Sequence, residues 1–463
     1  MSRWLGWPLA VVVTLAAAVT AVLAVVSVRT DREYARLVAA GDQALGASDL
    51  AGAIEAYTGA ITLNPDSMAA HLKRGLAYRQ RRELDAALRD LRRASELDPT
   101  SPRVFEWQGD VHLELGRYAR AAERYEQSVA IDDRQPDVHY KLAVARYREG
   151  RAGAAVDPLR RAVALAGGHA QAHYLLGLCL RDLGRLDEAA GVLDTAARLA
   201  PGLLAVREAR ADVFQARGQT ARAVDELSAL AALEPDRPER AVAVASAYAR
   251  AGRLDAAVLA LGRASERFPD AAVVYTTLGG VWLRLADDGD EVALDKALAA
   301  LARAATAPDA SSATFALLGR ARLRAARPDA AIEALRTATT LVPVAPEAFR
   351  DLATALEQKR DWLAARDALA RYVALEAGTA AASGATTHLG DLSMQAGDPH
   401  AAAYWYERAA GELGPSPPLL LKRAEAEISR GDRERAKAIV ADGLALDAAH
   451  AGLRALERRL ARP

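Results

Sequence analysis

The chain has 463 residues, 51% of them hydrophobic but only 5% aromatic, and a single cysteine, Cys179. Sixty basic residues balance sixty acidic ones to a formal net charge of +0, so the overall electrostatic footprint that a nucleic acid or an anionic surface demands is absent. One thiol excludes an intrachain disulfide and a cysteine-rich metal site, and none stands beside the N-terminal apolar stretch, which excludes a lipoprotein-type anchor.

The first predicted element is apolar. From Trp4 to Val28 no residue is charged, a length of roughly 37 Å as helix against the ~30 Å of a bilayer core. Trp4 and Trp7 suit the headgroup region, and Pro8 falls near the helix start, where a missing N–H is tolerated. The run predicts an N-terminal transmembrane anchor over residues 1–29, a single pass. The alternative is a cleaved signal peptide with Val22 and Ala24 before the cut, although the run is longer than a signal core and continues through Val25, Val26 and Val28. Arg3 and the amino terminus nearly balance Arg29, Arg32 and Arg36, so the charge count leaves both orientations open. The general behaviour of single anchors places the rest of the chain on the periplasmic or extracytoplasmic side of the membrane. Lysine occurs only at Lys73, Lys141, Lys296, Lys359, Lys422 and Lys437, every other basic residue being arginine, and with abundant alanine this points to a GC-rich bacterial genome.

Beyond Tyr34 the chain repeats itself. Gly41, Gly75, Gly109, Ala143 and Gly177 recur every 34 residues, followed by Ala53, Ala87, Ala121, Ala155 and Ala189. One register runs from Tyr34 through Met68, Pro102, Pro136, Ala170, Leu204 and Pro238 to Ala272 without an insertion. Units end at Asn64-Pro65, Asp98-Pro99, Ala200-Pro201, Glu234-Pro235 and Phe268-Pro269, where proline stops a helix. Gly116, Gly150, Gly184, Gly218 and Gly252 mark an inner turn that a positive φ can close. Such a period belongs to stacked helix pairs, each burying its apolar face only against its neighbours.

Two places break the phase. Residues around Asp287, Asp288, Gly289, Asp290 and Glu291 lengthen the inner turn of the eighth unit, and the ninth begins at Ser312. The stretch from Gly378 to Thr387 predicts a looser joint and the position of any hinge. The last two units carry Gly414 and Ala448 at the closing proline, with Gly443 at a small-alanine position. The organisation read in this way is an anchor over 1–29, ten units over 34–379, two degenerate units over 383–450 and a capping helix over 451–463.

With Leu176, Gly177, Ala189, Leu193, Ala196 and Pro201 in the fifth unit, and Leu318, Gly319, Ala331, Leu335, Ala338 and Pro343 in the ninth, the chain resembles the tetratricopeptide repeat (TPR) family. The resemblance covers nearly all of the chain after the anchor. It implies an all-α fold, a right-handed superhelical solenoid of about twelve helix-turn-helix units. In it the first helix of each unit lines a concave groove for protein partners. In this register the groove of units four and five presents Tyr140, Val144, Tyr147, Tyr174 and Leu178, with Lys141, Arg148 and Arg181 beside them. An aromatic surface with cationic neighbours suits an extended peptide or a helix of some acidic character; the competing reading packs the rings against the adjoining unit. The family's carboxylate clamp is not reproduced, since Asp42 and Asp110 stand where an amide is needed and the only asparagine is Asn64.

The function implied is a noncatalytic, membrane-anchored scaffold for protein–protein interactions in the cell envelope, such as assembly of a secretion, pilus, polysaccharide-export or envelope complex. The alternative is a recruitment subunit presenting substrate to a separately encoded enzyme. No cofactor, metal, small-molecule substrate or nucleic acid is called for. His169 and His173 lie four apart, but no glutamate follows His169 as a zinc-protease motif requires, which favours structural roles. The acidic insert lacks the alternating ligands of a calcium loop, and Cys179, between Leu178 and Leu180, reads as a small hydrophobe. Phosphate-loop and nucleophile-elbow motifs are absent from the sequence.

Overall fold

Alanine- and leucine-rich segments of 13 or 14 residues set the architecture, the first of a pair opened in several repeats by a proline and followed by a left-handed residue such as Gly116 or Gly150. The structure is a computed structural model describing residues 6–287 and 289–462, with the side chains of 6–14, 16, 17 and 291 outside the description. Among the described residues there are 25 helices and no strand, an all-α solenoid of helix pairs. The helices fall into two compact units, residues 1–217 and 218–463.

The first unit holds α1 (Gly6–Gly46), α2 (Leu50–Leu63), α3 (Met68–Gln80), α4 (Leu84–Leu97), α5 (Pro102–Glu114), α6 (Tyr118–Ile131), α7 (Pro136–Arg148), α8 (Ala152–Leu165), α9 (Ala170–Asp182), α10 (Leu186–Leu199) and α11 (Leu204–Ala216). Odd-numbered helices open each repeat. Pro102 and Pro136 occupy first-turn positions where no N–H is needed, and Ser67 caps α3 by accepting from the Ala70 N–H.

Each pair is joined by one turn geometry. At Ser48, Arg82, Gly116, Gly150 and Gly184 φ is +61°, +66°, +68°, +82° and +73°. The next N–H reaches back five residues, as from Asp49 to Ala44 at 2.8 Å and from Arg117 to His112 at 2.9 Å. This is a Schellman closure, which satisfies the last carbonyls of the first helix. Glycine is therefore not required by the turn. Ser48 and Arg82 adopt the same conformation at a cost of about 1–2 kcal/mol each.

Helices of a pair meet at a small residue. A Cβ built on Gly41 would stand 2.4 Å from Tyr57, on Gly109 2.5 Å from Tyr125, and on Gly390 2.3 Å from Tyr406. Where alanine takes the glycine's place, as at Ala143, Ala245 and Ala353, the residue sixteen on is leucine: Leu159, Leu261 and Leu369. The three tyrosines donate to the aspartate that follows each glycine, Tyr57 to Asp42 at 2.8 Å, Tyr125 to Asp110 at 2.7 Å and Tyr406 to Asp391 at 2.8 Å. A lysine from the next repeat closes each set: Lys73 on Asp42 at 2.6 Å, Lys141 on Asp110 at 2.9 Å and Lys422 on Asp391 at 2.7 Å. One Gly-Asp, Tyr and Lys combination thus locks a helix pair and staples it to its neighbour.

The second unit holds α12 (Thr220–Leu233), α13 (Pro238–Arg250), α14 (Leu254–Arg267), α15 (Ala272–Asp287), α16 (Glu291–Ala305), α17 (Ser312–Arg324), α18 (Pro328–Thr340), α19 (Pro346–Gln358), α20 (Trp362–Leu375), α21 (Ala380–Gln395), α22 (Pro399–Leu413), α23 (Pro417–Ser429), α24 (Arg433–Leu446) and α25 (Ala451–Leu460). Extra residues in the eighth repeat extend α15 to 16 residues instead of lengthening the turn alone. Asp287 pairs with Arg324 at 2.8 Å, and Asp290 caps α16 through the N–H groups of Val292 and Ala293; Asp288 lies outside the described residues.

The looser joint expected from Gly378 to Thr387 is corrected. Thr379 caps α21 by accepting from the Ala382 N–H, Ala382 and Thr386 are buried, and the break narrows to residues 376–379 around Gly378 at φ +87°. Small residues there serve helix packing. At the far end, Leu453, Leu456 and Leu460 of α25 bury against Leu420, Ala424, Ile439 and Val440.

The anchor expected over residues 1–29, and the single-pass membrane localisation built on it, are also corrected. Among the described residues no helix is long and apolar enough to cross a membrane. α1 does not stop at an anchor boundary but continues through Arg29, Asp31, Arg32 and Glu33 into the first repeat. Residues 1–5 of the expected span lie outside the described residues.

Candidate functional site

The residues singled out in repeats four and five lie on α7 and α9. Pro136 opens α7, and His169 caps α9 by accepting from the Ala172 N–H at 3.2 Å. From these starts the helical period brings Tyr140, Val144, Tyr147 and Arg148 to one face of α7, and Tyr174, Leu178 and Arg181 to one face of α9. Tyr140, Val144, Tyr147, Tyr174 and Leu178 are all partly buried. The rings of Tyr140 and His169 lie 4.8 Å apart and tilted by 44°. Burial raises the Tyr140 hydroxyl above its ordinary pKa, with a smaller contribution from Tyr174, and burial then Glu208 raise that of Tyr174.

The cations differ in what they are free to do. Lys141 holds Glu106 at 2.7 Å and Asp110 at 2.9 Å; burial opposes its charge, but the two carboxylates outweigh it and raise its pKa. Arg181 pairs with Asp182 at 2.9 Å and Asp212 at 3.3 Å. Arg148 is exposed and has no ion-pair partner among the described residues. Tyr147 donates to Asp182 at 3.0 Å. Tyr140 and Tyr174 are different: neither hydroxyl has a hydrogen-bond partner among the described residues.

His169 and His173 have local roles. His169 adds a contact to Asp137 at 3.5 Å to its capping bond, and His173 meets the Gly167 carbonyl at 3.1 Å. No cluster of three or more His, Cys, Asp or Glu suited to a metal occurs among the described residues. Cys179 is buried on α9, and burial, then Asp182, push its thiol up to about 12. Because the thiolate is the reactive form, Cys179 in the native chain should resist iodoacetamide at pH 8 and label fully in denaturant; rapid native labelling, read by mass spectrometry, would refute a buried thiol.

Sequence reasoning missed the tyrosine lock. It took Asp42 and Asp110 for failed amides of a peptide clamp, whereas they accept from a tyrosine and a lysine of the same chain. The signal was present: Gly41-Asp42, Gly109-Asp110 and Gly390-Asp391 are each followed by tyrosine, fifteen positions beyond the aspartate.

Paired helices that close through one turn and stack on the next pair define a helical-repeat protein. The tetratricopeptide repeat model matches residues 38–102 and 316–385, and a model described as anaphase-promoting complex, cyclosome, subunit 3 matches residues 114–196. Residues 38–102 and 316–385 thus carry tetratricopeptide repeats. The chain is 34% identical over 111 residues to small glutamine-rich tetratricopeptide repeat-containing protein 2 of Mycosarcoma maydis, a match covering 24% of this chain and 32% of that relative's length. Yeast Tom70 is 15% identical over 83% of this chain and 97% of its own, at a TM-score of 0.42. YrrB, described as a TPR protein with an unusual peptide-binding site, is 23% identical over 40% of this chain and 95% of its own, at 0.38. At these scores the structural likenesses carry no functional argument. Nothing among the matches points to an enzymatic activity.

Proposed function

We propose that the chain is a noncatalytic scaffold that seats a segment of a partner protein on the α7–α9 strip. One contrast carries this reading. Tyr57, Tyr125 and Tyr406 are buried with their hydroxyls on aspartates, whereas Tyr140 and Tyr174 remain partly open with hydroxyls that bond to nothing described. Val144 and Leu178 supply apolar surface alongside. Because Lys141 and Arg181 are engaged by carboxylates of the chain, the strip selects aromatic contact and a hydroxyl-to-carbonyl hydrogen bond over acidic charge, with Arg148 the cation left to orient the segment. The cell-envelope setting rested on the anchor and is not part of the proposal.

The test is capture of partners by the whole chain. Tyrosines at an interface centre contribute about 2 kcal/mol each, so Tyr140→Ala with Tyr174→Ala should weaken capture by tenfold or more while helicity and melting temperature stay nearly unchanged. A large fall in melting temperature, with capture lost in proportion, would make the rings structural and overturn the reading.

A further inference from the structure

A second feature lies away from that strip. Between α4, α5 and α6 is a cleft of about 350 Å³ whose lining includes Arg92, Gln108, His112, Arg120, Glu123 and Arg124. Gln108 donates to the Leu91 carbonyl at 2.8 Å and to Ser95 at 3.0 Å, and so ties α5 to α4. Arg92 and Arg120 have no carboxylate partner among the described residues, and Arg124 donates only to the amide of Gln127, at 2.9 Å. Glu123 is the one acid of the lining and pairs with none of these arginines among the described residues. Three guanidinium groups against one carboxylate leave the cleft strongly positive in a chain of zero net charge.

His112 adds an independent observation. It is 4% exposed, and its Nδ1 is buried without a hydrogen-bond partner among the described residues, a polar atom of the kind that folded proteins ordinarily satisfy. Burial, then Arg124, Arg117, Arg120 and Arg92, lower its pKa to about 4, so the ring is neutral near pH 7. A neutral imidazole can still donate one N–H. We propose that this cleft binds a phosphate-type oxyanion, with Arg92, Arg120 and Arg124 opposing its charge and His112 Nδ1 donating from the buried end. Planar guanidinium forks match phosphate oxygens in pairs, and the volume admits a phosphate group with part of whatever carries it. A free phosphate compound and a phosphorylated side chain share this chemistry.

The experiment uses the full chain and two probes at constant ionic strength with chloride as the balancing anion. One is inorganic phosphate; the other is a short uncharged peptide bearing one phosphoserine, paired with its unphosphorylated form. Histidine side-chain NMR should show a saturable shift of the His112 signals and a rise of its pKa above about 4 on binding. Saturation by inorganic phosphate identifies a free anion as sufficient, and saturation by the phosphopeptide alone identifies a phosphorylated chain; both support the site. Arg120→Ala with Arg124→Ala should weaken binding by about tenfold or more, since each removes a charged hydrogen bond, whereas Tyr140→Ala with Tyr174→Ala should leave it unchanged. If neither probe moves the His112 signals of the native chain, or the arginine double variant binds equally well, the proposal is wrong.

Discussion

Gly109→Ala is expected to destabilise the chain by about 2 kcal/mol even though alanine is the better helix former by about 1 kcal/mol. The added Cβ would lie 2.5 Å from Cε1 of Tyr125, a distance that forces the ring to move. Tyr125 is fully buried, and its hydroxyl is fixed on Asp110 at 2.7 Å. Retreat of the ring breaks that bond and disturbs Arg79 and Lys141, which share the same carboxylate. Gly75→Ala is the matched control: its Cβ would meet Cγ of the buried Leu91 at 3.1 Å, where a shift of a few tenths of an ångström relieves the contact, and the change should fall within about 0.5 kcal/mol of neutral because crowding offsets propensity. Tyr125→Leu should rescue Gly109→Ala by reproducing the pairing of Ala143 with Leu159 already present one repeat on. Urea unfolding followed by circular dichroism measures all four chains; a loss no larger for Gly109→Ala than for Gly75→Ala would show that the ring is not held.

That coupling also shows where the sequence was legible. The repeat starts at Met68, Pro102, Pro136, Ala170, Leu204, Pro238 and Ala272 are the first residues of α3, α5, α7, α9, α11, α13 and α15, because proline and a small residue at fixed spacing are local signals. Turn glycines were legible for the same reason. The equivalent φ at Ser48, Arg82, Ala326 and Arg360 was not, since the tertiary closure imposes it on residues that do not prefer it. Composition misled at Gly378 to Thr387, where small residues suggested a loose joint but Ala382 and Thr386 are buried in a continuous α21. The apolar N-terminus read as an anchor because length and lack of charge were counted apart from the helix that continues beyond them. Lys141 read as a surface cation because its partners lie 31 and 35 positions earlier, a separation that only the stacking of repeats makes short.

Asp110→Ala should cost about 3 kcal/mol, at the lower end for breaking a buried ion pair, and Asp42→Ala only about 1 kcal/mol, although the two residues make the same kind of bonds. The Asp110 side chain is 8% exposed and receives Tyr125, Arg79 at 3.0 Å and Lys141 at 2.9 Å. Its removal strands a buried hydroxyl and two cations, which keep only Glu114 and Glu106. Asp42 is 47% exposed, so its carboxylate is already in contact with water and Lys73, 34% exposed, can return to solvent, leaving the Tyr57 hydroxyl as the one group stranded. Thermal melting of the two variants reads the difference, and equal losses would mean that burial does not set the worth of the lock. The same series separates structure from recognition. Lys141→Met should lower stability through Asp110 while sparing partner capture, whereas Tyr140→Ala with Tyr174→Ala should do the reverse. Loss of capture without loss of stability in Lys141→Met would return that lysine to the binding strip.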